Sequence, residues 1–111
     1  MPITLDQQYV ISTGDTDVVS INYTDYLDTG ELLTGTPTVT EVITTALTIS
    51  NKIVNTSTYV EADTGETVAV GAAVQFAVTT STAGIYRVRV TATTDATLAR
   101  TKVADILLEF K

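Results

Sequence analysis

Arg87-Val88-Arg89-Val90-Thr91-Ala92-Thr93 is the stretch on which the fold turns. Val88, Val90 and Ala92 fall on one side of an extended chain, and Arg87, Arg89 and Thr91 fall on the other. A strand of this kind has one buried and one wet face, the habit of antiparallel sheets. The same rhythm recurs upstream. Val74, Phe76 and Val78 share a side, and Val19, Ile21 and Tyr23 oppose Val18, Ser20 and Asn22. From Thr38 to Ile43 the alternation is less clean, because Val39 shares its side with Glu41 as well as Ile43.

Composition points the same way. Of 111 residues, 24 are Thr, 14 Val and 8 Ile. These side chains are stiff at χ1 and pack well on a pleated surface. Turn signals divide the chain at Ser12-Thr13-Gly14-Asp15, Asp28-Thr29-Gly30-Glu31, Gly35-Thr36-Pro37, Asp63-Thr64-Gly65-Glu66 and Thr82-Ala83-Gly84. Between Thr97 and Leu108 a helical stripe of Ala99, Val103, Ile106 and Leu107 competes with loose alternation. In so β-rich a chain the reading is a final strand from Arg100 to Phe110. Met1 to Thr16 reads as an extended arm or edge strand, leaving 17–111 as a single sandwich domain. Roughly seven strands in one domain predict an all-β, immunoglobulin-like antiparallel β-sandwich, with a jelly roll as the alternative.

Two aromatic groups belong to that expectation. In Ala83-Gly84-Ile85-Tyr86-Arg87-Val88, a Gly followed by x-Tyr opens a late strand, as in the tyrosine corner of such sandwiches. In Tyr23-Thr24-Asp25-Tyr26-Leu27-Asp28-Thr29-Gly30, Asp28 and Gly30 make a turn while Tyr26 and Leu27 are expected to plug the end of the sandwich.

The chemistry is narrow. The chain has no His, Cys or Trp, which removes thiol and imidazole catalysis and the commonest zinc, copper, haem and iron–sulfur sites. No catalytic, cofactor-binding or metal-binding residue is assigned, no cofactor is implied, and the expectation is a protein that is not an enzyme. Asp25, Asp28 and Glu31 could meet on a calcium ion if their loop folds back, although a solvated acidic turn is the simpler reading. Asn55-Thr56-Ser57 matches a glycosylation sequon, without an export signal to give it meaning.

Charge is unevenly placed. The net charge is −7. Asp6, Asp15, Asp17, Asp25, Asp28, Glu31 and Glu41 precede the first base, Lys52, and beyond that point acids and bases cancel. Without clustered Lys and Arg early in the chain, nucleic acid is an unsuitable partner. Arg87, Arg89, Arg100 and Lys102 lie close in sequence and would make one mildly basic side if they shared a face. The start lacks a basic region and a long apolar run, and no stretch is long enough to span a bilayer. The expectation is a soluble chain with no membrane partner.

Tyr23-Thr24-Asp25-Tyr26-Leu27, Gly30-Glu31-Leu32-Leu33, Ala83-Gly84-Ile85-Tyr86-Arg87-Val88 and Thr93-Thr94-Asp95 leading to Arg100 together resemble small β-sandwich virion proteins of tailed bacteriophages. In that group an aromatic-Asp-aromatic-Leu turn precedes the second strand. A Gly-x-Tyr strand ending in Thr-Thr is followed by a basic residue that opens the last strand. The resemblance covers Val18 to Phe110. Tyr stands at first aromatic positions where the group has Trp, and Thr80-Ser81-Thr82 replaces the usual Gly-Gly.

The resemblance implies a structural role, as a head-decoration (cement) protein bridging major capsid subunits on the virion surface, assembled in the host bacterial cytoplasm. Its partners would be the major capsid protein and copies of itself, as a homo-oligomer such as a trimer. An adaptor joining tail and fibre, or head and tail, is the alternative. A glycan- or receptor-binding sandwich using Tyr23, Tyr26 or Tyr59 is the second. Tyr23, Asp25, Tyr26, Leu27, Gly84, Tyr86, Arg87, Arg89 and Arg100 are the candidate structural and interaction residues.

Overall fold

A computed structural model describes residues 3–43, 45–61 and 64–111, with the backbone alone for 3–8. Among the described residues nine strands run in chain order: β1 Ile3–Ile11, β2 Asp17–Asn22, β3 Leu33–Val42, β4 Thr48–Val54, β5 Tyr59–Val60, β6 Thr67–Val68, β7 Ala73–Thr79, β8 Gly84–Thr94 and β9 Thr101–Phe110. One 3₁₀ turn, Thr24–Tyr26, follows β2. Seven of the strands form two sheets, β1-β9-β8-β3 and β2-β7-β4, and β5-β6 is a separate ribbon. The two sheets pack face to face as an all-β sandwich.

The alternation read from the sequence builds the core. Val19 and Ile21 of β2 and Val74, Phe76 and Val78 of β7 face Val88, Val90 and Ala92 of β8 across the sandwich. β9 contributes Ala104, Ile106, Leu108 and Phe110, every second residue of the predicted final strand. Burying each large apolar side chain contributes about 1.5–3 kcal/mol. A small second cluster of Val68, Ala72 and Ala73 sits under the ribbon, against Leu27 and Tyr59.

The tyrosine corner is formed. The Tyr86 hydroxyl donates to the Thr82 carbonyl at 2.6 Å, and its ring meets Phe110 edge-on with centroids 5.9 Å apart. Gly84 opens β8 beside that phenol, 3.5 Å from the place a Cβ would occupy.

Three details depart from the sequence reading. The sandwich is not wholly antiparallel: β1 lies parallel to β9, with Tyr9 beside Leu108 and Ile11 beside Phe110. A strand can find a parallel partner only far away in sequence, so no local pattern announced this pair. Ile43 does not continue the buried side of β3. It lies beyond the strand at φ +81 and is 91% exposed. Glu41 does occupy the core side, because its carboxylate accepts the N–H groups of Ala46 and Leu47 and holds the turn into β4. Finally, Tyr23 rather than Tyr26 closes the end of the sandwich. Tyr23 is fully buried and donates to the Val90 carbonyl at 3.0 Å, whereas Tyr26 is 36% exposed and Leu27 half-buried.

Candidate interaction surface

Three connections meet at the end of the sandwich where β2 stops and β3, β7 and β9 begin: 23–32, the described residues 55–61 and 64–72, and 95–100. Each carries a reason to be ordered. Asp28-Thr29-Gly30-Glu31 is a tight turn in which the Glu31 N–H donates to the Asp28 carbonyl at 2.9 Å. Gly30 sits at φ +81, the third-position conformation that a type II turn assigns to Gly. Glu31 then reaches back and accepts the Asp28 N–H at 3.0 Å.

Glu31 is the hub of this end. It is 7% exposed, yet every part of its carboxylate is used. One oxygen takes the Asp28 N–H, and the other takes Nε and Nη2 of Arg100 at 3.2 and 3.0 Å. Arg100 also pairs with the Asp28 carboxylate. A buried carboxylate is tolerable only with such partners. The backbone N–H of Asp28, followed by the Thr94 hydroxyl and the Arg100 charge, holds the Glu31 carboxyl below its ordinary value. The Arg100 hydrogen bond and charge do the same for Asp28, and Arg100 is raised in turn. The carboxylates of Asp28 and Glu31 do converge on a cation, as a folded-back loop would have them do. That cation is Arg100, and among the described residues no group of three possible metal ligands is gathered.

Backbone bonds knit the loops together. Asp95 clamps Leu32 at two points, its N–H donating to the Leu32 carbonyl at 2.8 Å and its carboxylate accepting the Leu32 N–H at 2.9 Å. Leu33 donates to Gly71, and Tyr23 to Ala72, both at 2.8 Å. Gly71 passes directly beneath Leu32, where a Cβ would lie 3.3 Å from the Leu32 Cβ, and its φ of +83 also requires Gly.

Asn55 was visible in the sequence only as a sequon, and the structure gives it a different duty. It is 2% exposed. Its Nδ2 donates to the carbonyls of Ser57 and Ala69 at 3.0 and 2.8 Å, and its Oδ1 accepts the N–H groups of Gly71 and Ala73, both at 3.0 Å. Both amide hydrogens are spent inside the fold, so this nitrogen offers nothing to a glycan in the folded chain. It is the internal splint of the longest connection.

Beside these bonds, and among exposed polar groups such as Asp25 and Asp28, this end also shows apolar groups outward. Tyr26 is 36%, Leu32 40%, Val70 47% and Leu98 85% exposed. Asp25 lies beside them, exposed, at the 3₁₀ turn. The result is a preorganised set of loops with an apolar rim, the kind of surface that binds without first paying to order itself.

The other candidate residues lie elsewhere. Arg87 and Arg89 project from the outer face of the four-stranded sheet, where Arg89 pairs with Asp105 across β8 and β9 at 2.9 Å. Asp105 is held below its ordinary value by that hydrogen bond first. Arg100 is at the loop end, and Lys102 falls on the core-side parity of β9, so the four late bases do not form one basic side. Gly84 and Tyr86 belong to the opposite end. Sequence reasoning missed Asn55, Gly71 and the Glu31–Arg100 pair. Its one usable signal was an acidic residue, Glu31, placed directly before the apolar Leu32-Leu33.

No family model matches the chain, and neither do any curated protein or solved structure.

Proposed function

We propose that this chain is a non-enzymatic structural protein of a tailed-phage virion, a capsid decoration (cement) protein that bridges and stabilises major capsid subunits. The loop end carries the reading. Asn55 and the Arg100–Glu31–Asp28 group hold three connections rigid while Tyr26, Leu32, Val70 and Leu98 face outward. A rigid sandwich with an apolar rim is suited to seating against a neighbouring subunit, where aromatic and aliphatic anchors supply most of the binding energy. The resemblance over Val18 to Phe110 supplies the identity of that neighbour, and many modest contacts repeated over a symmetric shell add through multivalency.

The test is the copy number of this polypeptide in purified virions, by quantitative mass spectrometry against the major shell protein. A ratio near that of the shell subunit is expected, with Leu98→Asp lowering retention on the particle. A few copies per particle would move the assignment to a tail or head–tail adaptor. Absence from the particle would overturn it and leave the glycan- or receptor-binding module, to be tried on a glycan array with Tyr26→Ala as the control.

A further inference from the structure

The two sheets present four edge strands, β1 and β3 on one and β2 and β4 on the other. Three of them carry devices that discourage pairing with a foreign strand. The β1 ladder is interrupted between Thr4 and Gln8, and the β3 ladder between Thr34 and Thr38. β3 also contains Gly35 at φ +74 and Pro37, which has no N–H to offer. β4 is interrupted between Ser50 and Ile53, where Asn51 at φ +53 and Lys52 break the edge.

β2 carries none of these. It pairs six consecutive residues with β7 without interruption, and contains no Pro, Gly or Lys. Among the described residues no strand pairs with its outer edge, because β1 pairs with β9 in the other sheet instead of lying beside β2. The N–H of Tyr23 bonds the carbonyl of Ala72, which fixes the ladder's parity. Asp17, Val19 and Ile21 turn their backbone groups toward β7, while Val18, Ser20 and Asn22 turn theirs to the vacant side. Two of these groups are covered by side chains only. The Asp17 carboxylate accepts the Val18 N–H at 2.8 Å, and the Tyr9 hydroxyl donates to the Ser20 carbonyl at 2.9 Å. Ser20 N–H and the Asn22 backbone remain directed outward, and Val18 is 64% exposed beside them.

We infer that the β2 edge is a strand-addition site whose occupant is an extended segment of another protein, apolar at alternate positions and flanked by Lys or Arg. The flanks follow from charge. Asp15 and Asp17 stand at one end of the edge and Asp25 just beyond the other, in a half-chain with no base before Lys52. A second copy fits poorly. Pairing β2 with its own antiparallel copy through Ser20 brings the Asp15 and Asp17 end of each chain near the Asp25 end of the other, like charges at both ends. On binding, the Asp17 and Tyr9 caps give way to ladder hydrogen bonds. The added strand's apolar residues then extend the core beside Val19 and Ile21. The site rests on sheet geometry alone and is separate from the virion reading.

The test is an NMR titration of the ¹⁵N-labelled full chain with the synthetic peptide Lys-Val-Thr-Val-Thr-Val-Lys. Saturable shifts centred on the Ser20 and Asn22 amides, with slowed hydrogen exchange there, are expected. A Glu-flanked version of the peptide should bind at least about tenfold more weakly, as expected for reversed end charges. Ser20→Pro should abolish binding while leaving the β7 amides in place, since that N–H is not used by β7. Should Ser20→Pro fail to fold, Val18→Lys makes the same test with the N–H retained. Absence of shifts at millimolar peptide, equal binding of the Glu-flanked peptide, or indifference to both substitutions would overturn the proposal. So would wild-type dimerisation through these same amides without peptide, which would assign the edge to a second copy.

Discussion

The two ends of the sandwich solve one problem with different chemistry. At both, loops must satisfy backbone groups that have left the sheets. The end built from 23–32, 55–61, 64–72 and 95–100 does so with an amide, Asn55, and with charges, Arg100, Glu31, Asp28 and Asp95. The opposite end relies mostly on neutral groups. Tyr86 bonds Thr82, the Thr80 hydroxyl bonds Ala46 at 3.0 Å, and Thr13 and Lys111 are joined through backbone at 2.8 Å. The comparison teaches that the end with the exposed apolar groups closes on an ion-pair cluster, whereas the opposite end uses a carboxylate, Glu41, only to accept backbone N–H groups in one turn.

The largest effect should come from Asn55→Ala. It removes the side-chain acceptor of the Ala73 N–H and the donor to the Ser57 and Ala69 carbonyls, leaving the Gly71 N–H only its 3.2 Å bond to the residue-55 carbonyl, and a loss of about 3 kcal/mol in denaturant unfolding is expected. Hydrogen exchange should quicken at 69–73 and stay unchanged at Thr82 and Tyr86. Equal loosening at both ends would show that they are one unit rather than two.

Tyr86→Phe removes the neutral counterpart. It keeps the contact with Phe110 and deletes one hydrogen bond, so about 1 kcal/mol should be lost, with the exchange pattern reversed.

Acid separates the ends by charge. The folded carboxyls of Asp28 and Glu31 lie below their ordinary values of 3.8 and 4.5. The unfolded chain therefore takes up protons first as pH falls. The stabilisation is complete above the unfolded values and is lost as pH drops through the lower, folded ones. Arg100→Met should flatten that acid limb in a series of unfolding curves from pH 6 to 2. An unchanged limb would place the acid sensitivity with carboxylates that Arg100 does not hold, Asp105 beside Arg89 or Glu31 through the Asp28 N–H. At the alkaline side, burial pushes the Tyr59 phenol up to about 12. An unfolded phenol ionises near its ordinary 10.0, so stability should fade as pH climbs from there toward the folded value. Absorbance at 295 nm checks this.

The smallest effect should be a gain. Ile43 is a β-branched residue at φ +81 with almost no contacts to lose, and Ile43→Gly should add about 0.5 kcal/mol by relieving strain. A loss would mean that this tip is held by packing its exposure hides.

What the sequence made legible was whatever repeats every second residue. Val88, Val90 and Ala92, the final strand, and the Gly84–Tyr86 spacing all express a local period or a local turn. Asn55 did not, because its partners Ala69, Gly71 and Ala73 become its neighbours only when β4 and β7 pair. The bond between Arg100 and Glu31 likewise joins loops whose nearness is a product of the finished sandwich. The alternation places Tyr23 on the buried side, but a hydrophobic pattern cannot tell which of two nearby rings, Tyr23 or Tyr26, finds a carbonyl to bond. Glu41 is instructive in the opposite sense. The imperfection it made in the alternation of β3 was the trace of its cap on Ala46 and Leu47.

The parallel pairing of β1 with β9 has a consequence for biosynthesis. Ile3 settles beside Ala104 and Ile11 beside Phe110, so β1 is made before the other described strands and waits for β9, which is made after them. Until then β8 also lacks the neighbour it pairs with from Gly84 to Thr93. A chain that stops short of β9 leaves β1 unpaired and one edge of β8 open, with β3 alone on its other side, a state open to aggregation and proteolysis. The geometry acts as a quality check, in which a copy reaches its folded form only after translation has passed Phe110.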